Sequence, residues 1–140
     1  MSKHVSMSLR VAALALLAAS AAVQAEPVVV VNAANTANLD DEALARIFLR
    51  QLKAFPDGTA TAPVSQKDGP LSEEFRTKLL KKNTAQYKAY WAQQVFTGGA
   101  KPLPEMDGDE AVLKHVAETP GGIGYVDSGK TRAGVRVIKR

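Results

Sequence analysis

Few residues in this sequence have the type and spacing to do covalent chemistry. There is no cysteine, which removes thiolate nucleophiles, thiolate metal sites and disulfides together. Of the two histidines, His4 lies in a segment with export character, so imidazole chemistry would rest on His115 alone. His115 lies between Leu113 and Val116 on a helical stretch. No second histidine and no patterned carboxylate is there to complete a metal site, and it reads as a structural or solvent-facing residue. The serines lack a Gly-x-Ser-x-Gly elbow, and no Gly-x-x-x-x-Gly-Lys loop could cradle a nucleotide. The carboxylate pairs Asp40-Asp41, Glu73-Glu74 and Asp109-Glu110 all fall at helix starts, where complementing the positive end of the helix dipole explains them. The expectation is a protein with no catalytic residue, no metal ligand and no cofactor, and therefore not an enzyme.

Non-covalent anion binding is the chemistry left to test, and two glycine-containing turns compete for it. Gly121-Gly122-Ile123-Gly124 follows a helix and enters a strand, the reverse of the order that aims backbone N–H groups at an anion. It reads as a helix stop and a crowded strand entry. The segment from Ser65 to Ser72 has the favourable order: it leaves a strand, turns at Asp68-Gly69 and delivers the amides of a helix terminus. Ser65, Gln66, Lys67, Asp68, Gly69 and Ser72 are the candidate ligand-binding residues.

The elements that must position this turn follow from periodicity. Val28 to Val31 is a continuous β-branched run without polar alternation, expected as a central strand covered on both faces. Leu39-Asp40-Asp41-Glu42 opens a helix with Leu44, Ile47 and Phe48 inward. After the turn at Phe55-Pro56-Asp57-Gly58, Ala62 to Ser65 is a short strand. A second helix is expected from an N-cap at Ser72 to about Lys82. A third follows a cap at Asn83 or Thr84, with Tyr87, Trp91, Val95 and Phe96 forming an inward stripe up to Gly98. A fourth helix after Asp109 turns Val112, Leu113 and Val116 inward, and Ile123 to Asp127 and Val135 to Ile138 are the last strands. This order is α/β: a small mixed sheet with helices on both faces.

Residues 1–25 have the profile of a secretory signal. Lys3, His4 and Arg10 give a basic start, Val11 to Val23 is an apolar run, and Val23-Gln24-Ala25 offers small residues for cleavage. The run of thirteen residues is short of the roughly 20 needed to span a bilayer, so residues 26–140 are expected to form one exported, soluble domain without membrane insertion. Removing Lys3 and Arg10 from eighteen basic residues leaves sixteen against fourteen acidic ones, a net charge of +2 rather than +4. With Lys81-Lys82 and Lys139-Arg140 as the basic doublets, no clustered electrostatic footprint for nucleic acid is present.

Three segments carry a family resemblance: Arg46-Ile47-Phe48-Leu49 followed by Phe55-Pro56-Asp57-Gly58; Pro63-Val64-Ser65-Gln66-Lys67-Asp68-Gly69 leading to Phe75; and Pro120-Gly121-Gly122-Ile123-Gly124-Tyr125-Val126. In order and spacing they resemble the phosphate-binding proteins of bacterial ABC importers. The resemblance implies one lobe of a type II periplasmic binding fold, without the second lobe that would close over an anion. It also implies a periplasmic location, phosphate or a related oxyanion as ligand, and importer membrane subunits or a second copy of the chain as partners.

The turn departs from the family's Arg-x-Asp-Gly-Ser-Gly-Thr. Gln66 stands for the arginine, Pro70 for the serine, Leu71 for the glycine and Ser72 for the threonine, while Asp68 is kept. Loss of the arginine removes a bidentate cationic fork, and Pro70 has no N–H to donate. Glu73 and Glu74 add negative charge at the helix start, although Lys67 could restore part of the positive charge. The expectation is weak oxyanion binding, or binding in a dimer. The alternative is a ligand-free interaction or scaffold module built from one lobe.

Overall fold

The computed structural model describes residues 25–139; the segment read as a secretory signal lies outside the described residues but for Ala25. The architecture is organised around the valine run. β1 (Pro27–Asn32) pairs antiparallel with β5 (Gly122–Asp127) on one side and with β6 (Val135–Lys139) on the other, and β2 (Ala62–Pro63) runs parallel to β5 at the edge. The order β2-β5-β1-β6 makes the sheet mixed and β1 internal. Alternate valines of β1 face opposite cores. Val29 and Val31 join Ile123 and Tyr125 on one side, and Val28 and Val30 join Val126 and Val64 on the other, which is why the run has no polar alternation.

Three helices and a π-helical turn cover the first face. α1 (Asp41–Phe48) is capped by Asp40, whose carboxylate accepts from the Ala43 N–H at 2.8 Å, and it buries Leu44, Ile47 and Phe48 as its spacing predicts. α2 (Pro70–Phe75) continues into the π-helical turn Arg76–Leu80, which stops at Lys81 in the left-handed conformation (φ 57°). α3 (Thr84–Thr97) begins with a reciprocal capping box between Asn83 and Gln86 and contributes Tyr87 and Trp91 to the core. α4 (Asp109–Glu118) alone covers the opposite face with Val112, Leu113 and Val116. The Asn32 side chain, at the end of β1, donates to the carbonyls of Val116 and Ala117 at 3.0 and 3.2 Å, tying the C-terminal end of α4 to the sheet. His115 Nε2 lies 3.0 Å from the Ala62 carbonyl oxygen, linking α4 to β2.

The structure corrects four expectations. The strand foreseen at Ala62 to Ser65 is two strands: β2 pairs with β5, whereas β3 (Ser65–Gln66) leaves the sheet and pairs parallel with β4 (Glu105–Met106), a strand periodicity did not reveal. Pro63 sits at the edge of the main sheet, where its missing N–H costs no ladder bond. The second helix starts at Pro70 with Gly69 as N-cap, not at Ser72, because proline's fixed torsion and absent donor suit the first helical position. It also ends at Leu80 rather than Lys82. Finally, Val95 and Phe96 do not extend the buried stripe of α3; they are 58% and 92% exposed. Phe96 lies five residues after Trp91, about 140° around the helix, and so points away from the face that Trp91 buries. Among the described residues, no helix is long and apolar enough to cross a membrane.

Candidate functional site

The turn from β3 to α2 has an inner side built into the core and an outer side open to water. On the inner side, the Gln66 backbone N–H donates to the Tyr125 hydroxyl at 3.0 Å. Tyr125 Oη and Ser72 Oγ are 2.8 Å apart, and Ser72 Oγ donates to the Lys67 carbonyl at 2.8 Å. One direction of donation satisfies the whole chain: Gln66 N–H to Tyr125, Tyr125 O–H to Ser72, Ser72 O–H to Lys67. The Gln66 side-chain amide donates to Asp109 Oδ1 and to the Tyr125 carbonyl, each at 2.8 Å. Ser72 is only 1% exposed, and Tyr125 stacks on Phe75 with ring centroids 3.9 Å apart. Burial pushes the Tyr125 phenol above its ordinary pKa, so at neutral pH it stays a protonated donor.

Charge is arranged around the outer side. Lys67 forms an ion pair with Asp107, both side chains being largely exposed (68% and 78%). The hydrogen bond to Asp107, with its charge, holds the Lys67 ammonium above the ordinary lysine range. Asp68 accepts from Lys88 at Oδ2 (2.9 Å) and from the Arg76 guanidinium at Oδ1 (2.8 Å). These two contacts, that of Lys88 foremost, hold its carboxyl below the usual carboxylate range. Arg76 is buried, with its guanidinium carbon 4.1 Å from the centroid of the Tyr87 ring.

Between these groups lies a cleft of about 250 Å³, lined by residues 66–72 and 106–108. The first helical bond of α2 runs from Glu73 N–H to the Gly69 carbonyl at 3.0 Å, so the amides of Leu71 and Ser72 precede it and have no carbonyl of their own helix to bond. Of the candidate residues, Gln66, Lys67, Asp68, Gly69 and Ser72 line this cleft together. Ser65 is buried in β3, where its N–H donates to the Pro104 carbonyl at 2.9 Å, and it is not among the lining residues. A second cleft of about 310 Å³, with Val28, Phe75 and Leu79 among its walls, lies away from the turn.

Sequence reasoning missed Arg76, Lys88, Asp107, Asp109 and Tyr125, which hold the turn in place. For Arg76 a signal existed: it lies four residues after Ser72, on the same face of its helix, among the apolar residues Phe75 and Leu79. The other turn is what its glycines suggested. A Cβ on Gly121 would strike the Ala60 carbonyl oxygen, and one on Gly124 would come within 2.5 Å of Val112 Cγ1, so close packing demands glycine at both.

The fold is that of a single α/β lobe of the periplasmic-binding-protein type. Among solved structures it is similar to an ABC-type phosphate transport receptor from Vibrio cholerae, with a TM-score of 0.54 over 81% of this chain. Identity is 17%, and the chain covers 45% of the receptor's length. No protein-family model and no curated protein sequence matches the chain.

Proposed function

We propose that this chain is an exported, non-catalytic, single-lobe relative of phosphate-transport receptors, with residues 1–25 as its signal and the periplasm as its location. It binds phosphate or a related oxyanion weakly. The observation carrying this reading is the cleft at the entry to α2, which Lys67, Leu71 and Ser72 line together. Lys67 is free to change partners: its pair with Asp107 is exposed and so contributes little, and an arriving anion would replace one carboxylate with another charged oxygen. Gln66, Asp68 and Gly69 shape the cleft, with Asp68 held back by Arg76 and Lys88.

Affinity is low for physical reasons. Pro70 supplies no N–H, and the Asp68 and Asp107 carboxylates oppose an anion. A facing wall from an importer membrane subunit or a second copy would raise it. Thermal unfolding in phosphate, sulfate and molybdate at matched ionic strength tests the reading. Stability should rise with millimolar phosphate, approaching about 2.7 kcal/mol at a hundred times the dissociation constant. The rise should vanish in Lys67→Ala.

The saturation of Gln66, Ser72 and Asp68 by partners within the chain supports the second reading, a ligand-free interaction module. Thermal unfolding that is indifferent to all three anions would favour it.

A further inference from the structure

The α3 helix is apolar on two opposite faces, and the fold uses only one. Tyr87 and Trp91 are buried against the core, whereas Ala85, Ala89, Ala92 and Phe96 are exposed. At about 100° per residue these four fall within about 60° of one another, on the side of the helix opposite Tyr87 and Trp91. A phenylalanine exposed to 92% at the end of that stripe is, among the described residues, the largest apolar side chain left in water.

We propose that this outward face of α3 packs antiparallel against the same face of a second copy, about a two-fold axis passing between Tyr90 and Trp91. The proposal does not depend on the oxyanion reading. Its basis is that the face is complementary to itself in that orientation and in no parallel one. Under the two-fold, Ala89 lies level with Ala92 of the other copy, and the large Phe96 lies level with the small Ala85, so the bulky side chain meets a place with room for it at both ends. In a parallel pair the two Phe96 rings would instead collide at one end and leave alanine against alanine at the other.

Charge agrees with shape. Lys88, at the edge of the face, is neutralised within its own copy by Asp68. The helix has no acidic residue in its first turn and no basic residue in its last, leaving its dipole uncompensated at both ends. Antiparallel pairing sets the positive start of each helix, preceded by Lys81 and Lys82, beside the negative end of the other. The face is small: a 14-residue helix is about 21 Å long and cannot by itself cover the roughly 800 Å² per partner of a standard interface. The pair is therefore a weak dimer, with a dissociation constant on the order of 100 µM.

Sedimentation of the protein purified after export, from on the order of 10 µM to 1 mM and without added oxyanion, reads the association directly. A reversible monomer–dimer equilibrium is expected, weakened at least about tenfold by Ala89→Arg and by Phe96→Ser. Both positions are exposed, so circular dichroism should be unchanged in either variant. Because the chain has no cysteine, single substitutions report orientation. Ala89→Cys should form an intermolecular disulfide, and Ala85→Cys, displaced from its own copy by about eleven residues, should not. A monomer at every concentration, a dimer indifferent to both interface variants, or cross-linking through Ala85→Cys in place of Ala89→Cys would each overturn the proposal.

Discussion

Ser72 and Lys67 belong to the same turn, five residues apart, yet they face opposite physical worlds. The Ser72 hydroxyl is enclosed, joins Tyr125 to the Lys67 carbonyl, and has its one proton committed. The Lys67 ammonium stands in solvent, paired with a carboxylate it can release. On the inner side each hydrogen bond holds down a buried polar group, so losing one leaves its partner stranded at the full desolvation cost. On the outer side water replaces any partner that departs. The contrast teaches that side-chain chemistry alone does not identify a ligand residue. Gln66 and Ser72 have suitable groups but use them to fasten the turn to β5, while Lys67 retains a group that can respond to solutes.

Substitutions on the two sides should therefore differ sharply, and the largest effect is expected at the deepest charge. Arg76→Ala removes a buried guanidinium that stacks on Tyr87 and anchors Asp68, and should destabilise the fold by roughly 3 kcal/mol in urea unfolding. Next comes Tyr125→Phe. It takes away the acceptor of the Gln66 N–H and the donor to Ser72, and the same measurement should show a loss of about 2 kcal/mol. A loss near zero would mean that water enters the inner side, and the contrast would fail.

Asp68 lies between the extremes, its side chain 49% exposed. Its native pKa is lowered relative to the unfolded chain, chiefly by Lys88 and then by Arg76, so its contribution is fully present above the ordinary carboxylate pKa and fades as pH falls through the lowered value. Asp68→Asn should flatten the acid limb of the stability profile below about pH 4, by less than about 1 kcal/mol after solvent screening. The smallest change is expected for Lys67→Ala. Its melting temperature should match the parent protein without anion, while its response to phosphate should disappear.

Much of the fold was legible because its causes are local. The valines of β1 required cover on both faces, and Asp40 and Asn83 announced their helices through side-chain oxygens that accept from the first turn. What escaped was decided at a distance. Nothing near Val64 says that the chain will leave one sheet for another at the next residue; that depends on β4, some forty residues on. Ser72 had the composition of a cap, but Pro70 claimed the helix start, and the hydroxyl turned back toward Tyr125 from a strand fifty residues downstream. The candidate site was correspondingly half legible. Its location followed from strand-to-helix order, whereas Arg76, Lys88 and Asp107, which set its charge, come from other elements and are brought to it by packing.

The most direct test of the central claim is a titration of the uniformly ¹⁵N-labelled protein with phosphate at constant ionic strength, followed by amide chemical shifts. The account predicts saturable shifts concentrated at residues 67–69, 71, 72 and 106–108, with little change at Gln66 and Tyr125 on the inner side. Shifts that fail to saturate, or that gather elsewhere on the molecule, would contradict it.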